Sequence, residues 1–224
     1  MSTAAARQSF AGVVPASGAS HRMGRQKALL ELEGETFVRR VVRSLSEGGC
    51  SPVFVVTTPE QVDVAEEARR AGADLLVNPD PGEGPITSLR IALAAIDDSV
   101  DGIVYLPVDH PLVHPDSVAK LLSVARSSGA KLTLPMHGAK RGHPAIFRRA
   151  LFGELLDPDL EGGARTVVHR HLESAQLLDL ADAGVIADID TPEAYLAALR
   201  AHEASDEAAT NQSGATSSRS DLER

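Results

Sequence analysis

Short apolar runs alternate along this chain with segments in which apolar residues recur at helical spacing. The apolar runs are Phe10–Val14, Val53–Thr57, Asp74–Val77, Gly102–Pro107 and Lys131–Leu134. Between them, positions such as Val38, Val41, Val42 and Leu45 follow the i, i+3, i+4, i+7 pattern of an amphipathic helix. Strands that alternate with helices favour βαβ units. The pattern predicts an α/β fold, namely a three-layer, Rossmann-like, mostly parallel sheet with helices on both faces.

Local signals set the expected limits of the domain. Thr-Pro-Glu at 58–60 and at 191–193 is typical of a helix start, with a Thr cap and Pro at the first helical position. The segments 143–147 and 176–179 are expected to add strands, one of them antiparallel. Residues 1–8 are small and polar and are expected to be disordered. Residues 203–224 have almost no large apolar side chains, which predicts a flexible tail after a domain at 9–202.

Composition excludes several classes of function. The formal net charge of -9 argues against nucleic-acid or membrane partners, and an aromatic content of 3% argues against base stacking. No stretch has the length and apolarity of a membrane helix, and no secretory signal is evident. The single cysteine, Cys50, fits a reducing compartment. We therefore expect a cytoplasmic protein in which any anionic ligand is held by a local group of cations.

Such a group follows the first apolar run, in the loop at residues 16–27. Gly18 and Gly24 allow the backbone to approach a ligand closely, and positive charge is concentrated at Arg22, Arg25 and Lys27. Backbone donors, hydroxyls and fixed cations suit a polyphosphate. The spacing is neither that of a Walker A loop nor that of the dinucleotide-binding G-x-G-x-x-G motif. The alternative is an ordinary β–α turn with a solvated basic face.

This loop resembles the signature L-A-A-G-x-S-x-R-M-G-x-x-K of nucleotidyltransferases with a GT-A-like fold, also described as nucleotide-diphospho-sugar transferase-like. The matching positions are Ala16, Gly18, Ser20, Arg22, Met23, Gly24 and Lys27. Pro15 and Ser17 depart from the signature. Pro15 lacks a backbone donor, so the exit from the strand is expected to be altered, whereas Ser17 is expected to be tolerated and to offer a hydroxyl.

Four later segments resemble the molybdenum cofactor cytidylyltransferase-like branch of this superfamily, also called the MobA-like NTP transferases. They are G-P-I-T-S-L at 84–89, P-V-D-H-P-L at 107–112, R-G-H-P-A-I-F at 141–147 and D-I-D-T-P-E at 188–193, with a weaker match in G-G-A-R at 162–165. The resemblance implies transfer of a nucleotide from an NTP, with CTP favoured, to molybdopterin or molybdenum cofactor. A molybdoenzyme client is a further implied partner.

Residue roles follow from chemistry and from the resemblance together. Asp109 comes at the end of an apolar strand and is expected to bind Mg²⁺, with Asp190 preferred over Asp188 as the second ligand. Turn capping and helix-start roles are the alternatives for these acids. Arg22, Lys27 and Asp109 are the expected catalytic residues, and the Lys27 side chain is expected to be exposed in the loop. The resemblance implies that the nucleotide is bound by the loop residues Ala16, Ser17, Gly18, Ser20, Arg22, Met23, Gly24 and Lys27, together with Gly84 and Ser88.

The acceptor is expected to contact His110, Arg141 and His143, although His110 has the alternative of a solvated turn residue. Two other functions stay open. One is transfer from GTP to molybdopterin, or transfer to a sugar phosphate or another alcohol phosphate. The other is a degenerate member that holds the cofactor, or aids maturation of an enzyme, without turnover. Retention of Arg22, Lys27 and Asp109 favours catalysis.

Overall fold

The computed structural model describes residues 8–18 and 26–201. Its strands are β1 Phe10–Pro15, β2 Glu31–Leu32, β3 Glu35–Thr36, β4 Val53–Thr57, β5 Asp74–Val77, β6 Gly102–Tyr105, β7 Leu132–His137, β8 Lys140–Arg141, β9 Ala145–Arg148 and β10 Gln176–Asp179. Its helices are α1 Phe37–Glu47, α2 Val62–Arg70, α3 Pro85–Ala95, α4 Pro115–Ser128, α5 Phe152–Leu156, α6 Ala164–His171 and α7 at 192–201. No helix in this part of the chain is both long and apolar enough to cross a membrane.

The main sheet has eight strands in the order β10-β7-β9-β6-β1-β4-β5, with β8 paired to β7. The pairs β1–β4, β1–β6, β4–β5 and β10–β7 are parallel. β9 lies antiparallel between β6 and β7. The prediction of a mostly parallel sheet with an antiparallel member in the second half is therefore confirmed.

Two apolar cores lie on opposite faces of this sheet. Along β1, Phe10 and Val14 belong to the core that includes α1, α2 and α4, whereas Ala11 and Val13 belong to the core that includes α3, α5 and α6. Successive side chains of a strand point to opposite faces, so a strand buried on both sides reads as a continuous apolar run. The predicted three-layer arrangement is confirmed.

One of the two predicted helix starts is wrong. Residues 58–60 form a turn, and α2 begins only at Val62. The Gln61 amide explains the difference, because its oxygen accepts a hydrogen bond from the Thr58 N–H at 2.9 Å and its nitrogen donates to the Ala16 carbonyl at 3.1 Å. The start of α7 is as predicted, with the Thr191 hydroxyl accepting from the Ala194 N–H at 3.2 Å.

Pro15 marks the point where β1 leaves one of its neighbours. The N–H groups of Gly12 and Ala16 donate to the β4 side, so position 15 faces β6. β1 pairs with β4 as far as Pro15 but with β6 only as far as Val13. Because proline has no N–H to donate, the pairing ends there, and the chain separates from β6 at the mouth of a cleft.

Candidate active site

A cleft of about 1260 Å³ opens at the carboxyl ends of the parallel strands. Three of its walls are the loops at 15–18, 81–86 and 107–110, which follow β1, β5 and β6. Ligands of open α/β sheets bind at this edge, and the sequence predicts that these three loops converge. The opposite walls come from 141–145 and from 160–169. The cleft therefore brings together segments from most of the chain.

The basic loop is described only in part. Ala16, Ser17 and Gly18 line the cleft, and Lys27 enters it from a short 3-10 helix, Lys27–Leu29. The remaining predicted residues of this loop lie outside the described residues; they are Ser20, Arg22, Met23 and Gly24. Their predicted roles stay predictions.

A buried hydrogen-bond network ties the start of this loop to α3. The hydroxyls of Ser17 and Ser88 share a hydrogen bond of 2.7 Å. The Asn78 amide donates to the Ser88 hydroxyl at 3.0 Å and to the Thr87 hydroxyl at 2.9 Å. Ser88 is fully buried behind the cleft surface, so its hydroxyl supports the loop from behind. Sequence reasoning missed Asn78, although a polar side chain directly after an apolar strand was a usable signal.

Gly84 forms the junction between this network and the cleft wall. Its φ of 88° is in the left-handed region that favours glycine, and α3 begins immediately after it at Pro85. The Gly84 carbonyl accepts a hydrogen bond from the Thr87 hydroxyl at 2.9 Å. The predicted nucleotide-binding segment at 84–88 is thus a helix N-terminus whose first turn is fixed by the hydroxyls of Thr87 and Ser88.

Lys27 joins the acids of two distant segments. Its Nζ lies 3.3 Å from Asp109 Oδ2 and also forms an ion pair with Asp190 Oδ1. Its side chain is only 13% exposed, so the expectation that it is exposed is wrong. The backbone supports this arrangement, because the Ile189 N–H donates to the Asp109 carbonyl at 2.8 Å. Asp188 also lines the cleft, in a segment that is irregular rather than a strand.

The environment of Asp109 suits a bound cation. Burial raises the pKa of Asp109, the Lys27 ammonium opposes that change, and the negative charge of Asp190 adds to it. Asp109 Oδ1 is buried and has no hydrogen-bond partner among the described residues. Within the same part of the chain, no group of three or more His, Cys, Asp or Glu side chains is arranged to hold a metal. Two carboxylates are nevertheless enough for Mg²⁺ when substrate phosphates complete its coordination.

Two histidines form a neutral wall next to these carboxylates. The ring centroids of His110 and His143 are 4.6 Å apart, and Tyr105 lies 6.0 Å from His143. Burial lowers the pKa of each histidine to about 4, so both rings are uncharged at neutral pH. His110 is only 7% exposed, which removes the alternative of a solvated turn residue. Arg141 is exposed on β8 at the rim of the cleft.

The weakly matched G-G-A-R segment also belongs to the cleft. Gly162 and Gly163 both have positive φ, and α6 begins directly after them at Ala164. Arg165 and His169 line the cleft from this helix. Sequence reasoning did not assign His169 to the cleft, because an exposed histidine on a helix has no local signal that marks it as part of a site.

The mixed sheet, the loop after β1 and the acidic end of β6 define a nucleotidyltransferase. The chain matches the MobA-like NTP transferase domain over residues 12–177 and belongs to that family. A probable molybdenum cofactor guanylyltransferase of Mycobacterium avium is 32% identical over 196 residues, which are 85% of this chain and 94% of the relative. A molybdenum cofactor cytidylyltransferase of Escherichia coli is 26% identical over 188 residues, which are 83% of this chain and 93% of the relative.

Solved structures agree with this assignment. The crystal structure of Rv0371c from Mycobacterium tuberculosis in complex with manganese has a TM-score of 0.72 and 27% identity, and the match covers 86% of this chain and 99% of that chain. The resemblance found in the sequence and the nucleotide-diphospho-sugar transferase-like fold are thereby confirmed.

Proposed function

We propose that this enzyme transfers a nucleotidyl group from an NTP to the phosphate of a molybdopterin-type acceptor, the molybdenum cofactor or its precursor, and releases pyrophosphate. The observation that carries the proposal is the contact of Lys27 with Asp109 and Asp190. Lys27 and Asp109 line the cleft beside the loop at 16–18, and Asp190 is paired with the same ammonium. The names of the two relatives support the acceptor. A molybdoenzyme that receives the product is the proposed client.

The residues present fit Mg²⁺. Asp109 provides a buried carboxylate oxygen without a partner in the described part of the chain, and Asp190 provides a second carboxylate next to it. Asp188, two residues before Asp190 in the same segment, lines the cleft and is the alternative second ligand. Bound Mg²⁺ would supply charge neutralisation at the reacting phosphate. The manganese complex of the Mycobacterium tuberculosis protein supports a divalent ion.

The reaction is a substitution at phosphorus. An oxygen of the acceptor phosphate forms a bond to the α-phosphorus, the bond from the α-phosphorus to the bridging oxygen breaks, and pyrophosphate leaves with the electron pair. The acceptor phosphate is already ionised at neutral pH, so the step requires no general base. Lys27, Arg22 and the backbone near Gly18 and Gly24 would hold the triphosphate and stabilise the developing charge.

The opposite wall of the cleft is proposed to hold the acceptor. The neutral rings of His110 and His143 offer flat surfaces and hydrogen-bonding nitrogens without charge. Arg141 at the rim supplies a cation for an anionic group of the acceptor. These assignments place the nucleotide beside the loop at 16–18 and the acceptor beside 141–143.

CTP is the proposed nucleotide, and GTP is the second candidate. The A-S-G opening of the loop is closer to the A-A-G form of CTP-using relatives than to the A-G-G form of GTP-using ones, which supports CTP. The Mycobacterium avium relative is a probable guanylyltransferase, which supports GTP.

Pyrophosphate release tests both the reaction and the base. The purified protein is mixed with molybdenum cofactor or molybdopterin and with CTP, GTP, ATP or UTP, in Mg²⁺ or in EDTA. Release that requires the acceptor and Mg²⁺ and is fastest with CTP is the expected result. A preference for GTP would refute CTP as the nucleotide and support the guanylyl reaction instead. Release with a sugar phosphate but not with molybdopterin would refute the acceptor.

A further inference from the structure

We propose that Asn78 is a positioning residue that sets the location of the nucleotide-binding loop through Ser88 and Ser17. The inference rests on the proposed function, because it concerns the same nucleotide site. Asn78 is 1% exposed and lies directly after β5, behind the cleft rather than in it. It therefore has no route to the substrate except through the residues that it holds.

Asn78 forms hydrogen bonds with four residues. Its N–H donates to the carbonyl of Thr57 at the end of β4, at 2.7 Å, and its side-chain oxygen accepts from the Asp80 N–H at 3.0 Å. Its amide nitrogen donates to the hydroxyls of Thr87 and Ser88. These contacts fix which side of the amide carries the nitrogen, because the Asp80 N–H requires an acceptor and the Thr87 hydroxyl uses its own proton on Gly84.

The contacts run in two directions toward the cleft. One passes through Thr87 to the carbonyl of Gly84, which precedes α3. The other passes through Ser88 to the hydroxyl of Ser17, at 2.7 Å, in the loop itself. Asn78 thus fixes the distance between the loop at 16–18 and the N-terminus of α3, which form two walls of the cleft.

The neighbouring residue of the loop is held separately. The Ala16 N–H donates to the Val56 carbonyl at 2.9 Å, and the Ala16 carbonyl accepts from Gln61. Ala16 is therefore held from the β4 side, whereas the Ser17 side chain is held through its hydroxyl contact with Ser88. Loss of Asn78 would leave the position of Ala16 intact while freeing Ser17 and the start of α3 to shift.

Shifts of this size are large for catalysis, since a misplacement of about 1 Å can lower a rate by about 100-fold. We expect Asn78→Ala to raise the Kd of the nucleotide about 10-fold and to lower kcat/KM by about 10- to 100-fold. A residue that only stabilises the fold would lower Tm and leave the Kd and KM of the folded fraction unchanged. A raised Kd therefore indicates a positioning role for Asn78, whereas a lowered Tm with an unchanged Kd indicates a purely structural role.

The experiment measures nucleotide Kd by calorimetry, steady-state kinetics and Tm for the full chain, for Asn78→Ala, for Ser17→Ala and for the double variant. The two substitutions act on one chain of contacts, so the double variant should bind no more weakly than Asn78→Ala alone. Thr133→Val is the matched control, because the Thr133 hydroxyl is also buried, on β7, and has no partner among the described residues. It should leave Kd unchanged.

A wild-type Kd for Asn78→Ala, or effects that add fully in the double variant, would overturn the proposal. If Asn78→Ala does not fold, Ser17→Ala decides, since it removes only the loop end of the chain; an unchanged Kd for that variant also overturns the proposal. Absence of nucleotide binding by the unaltered protein would overturn the proposed function as well, so the two failures are distinguishable.

Discussion

Lys27 is held between carboxylates from segments that are far apart in the sequence. The two carboxylates repel each other, and the ammonium of Lys27, which is largely shielded from water, offsets that repulsion. The same ammonium is proposed to bind the triphosphate. Lys27 would therefore contact two sets of anions, one from the protein and one from the substrate, and a divalent ion held by the two carboxylates would compete with it.

This arrangement predicts a metal-dependent effect of Lys27→Met. Turnover should fall by about 100-fold or more, because one stabilising group for developing charge is lost. Without divalent metal, Tm should also fall, since Asp109 and Asp190 lose their shared cation. Added Mg²⁺ should raise Tm more in the variant than in the unaltered protein, because no ammonium competes for the carboxylates.

Differential scanning fluorimetry in EDTA and in Mg²⁺ measures Tm, and pyrophosphate release measures turnover. Lys120→Met, on the exposed side of α4, is the matched control and should change neither quantity. Equal Mg²⁺ responses in Lys27→Met and in the unaltered protein would contradict the proposed competition.

Single residues were predictable where a motif marked them. Lys27, Asp109 and Asp190 each belong to a recognisable segment, and the structure brings their side chains together. The roles of Asn78 and Gln61 were not predicted, because each side-chain amide acts through the group that its oxygen accepts from and the group that its nitrogen donates to. Those partners come from other loops, so their positions become known only when the sheet has brought the loops together.

At the scale of elements, the junction between β8 and β9 depends on a close backbone contact. A Cβ at Gly142 would lie 1.9 Å from the carbonyl oxygen of Val185, in the 3-10 helix Ala183–Ile186. The His143 N–H donates to that same carbonyl at 2.7 Å. The glycine of the R-G-H-P segment is therefore required for packing, and it places His143 against His110.

We predict that Gly142→Ala is destabilising. The added methyl group must displace backbone rather than a flexible side chain, and overpacking of this kind costs about 1–3 kcal/mol. For a domain of this size Tm should fall by about 2–12 °C. Thermal unfolding monitored by circular dichroism is the measurement. Gly153→Ala is the control, because no atom lies within 4 Å of a Cβ there; an equal loss in both variants would contradict the packing argument.

Elements were predicted well where periodicity was strong. All five apolar runs contain strands, and the two extra strands of the second half are present as β9 and β10. The helix expected from residue 58 was wrong because Gln61 uses its side chain to close a turn and to hold Ala16. Local signals describe what a short segment prefers, and here a contact with a distant loop decides the outcome.

At the scale of the whole molecule, the two cores lie on one shared sheet, so we expect a single cooperative unfolding transition. Cys50, the only cysteine, belongs to the core that includes α1 and α4 and is 4% exposed. Burial raises the pKa of its thiol to about 12. The folded protein therefore keeps the thiol protonated at pH values where an unfolded chain would ionise it.

Cys50 should react with Ellman's reagent only when the molecule unfolds. At pH 8 the native protein is expected to label very slowly, and its labelling in urea should follow the loss of circular dichroism. Because the folded pKa is raised, this thiol's contribution to stability is present below pH 9 and is lost as pH rises further. Rapid labelling of the native protein would show that this part of the core opens locally.

The two ion-pair partners of Lys27 are distant in the sequence. Asp109 is 82 residues after Lys27, and Asp190 is 163 residues after it. A ribosome releases the chain from its N-terminus, so the loop at 16–18 and the strand before Asp109 emerge long before Asp190 does. The proposed catalytic centre is therefore completed among the last events of biosynthesis. A nascent chain halted after β10 would contain every strand of the sheet and still lack the second carboxylate, so premature termination yields a protein without the complete centre.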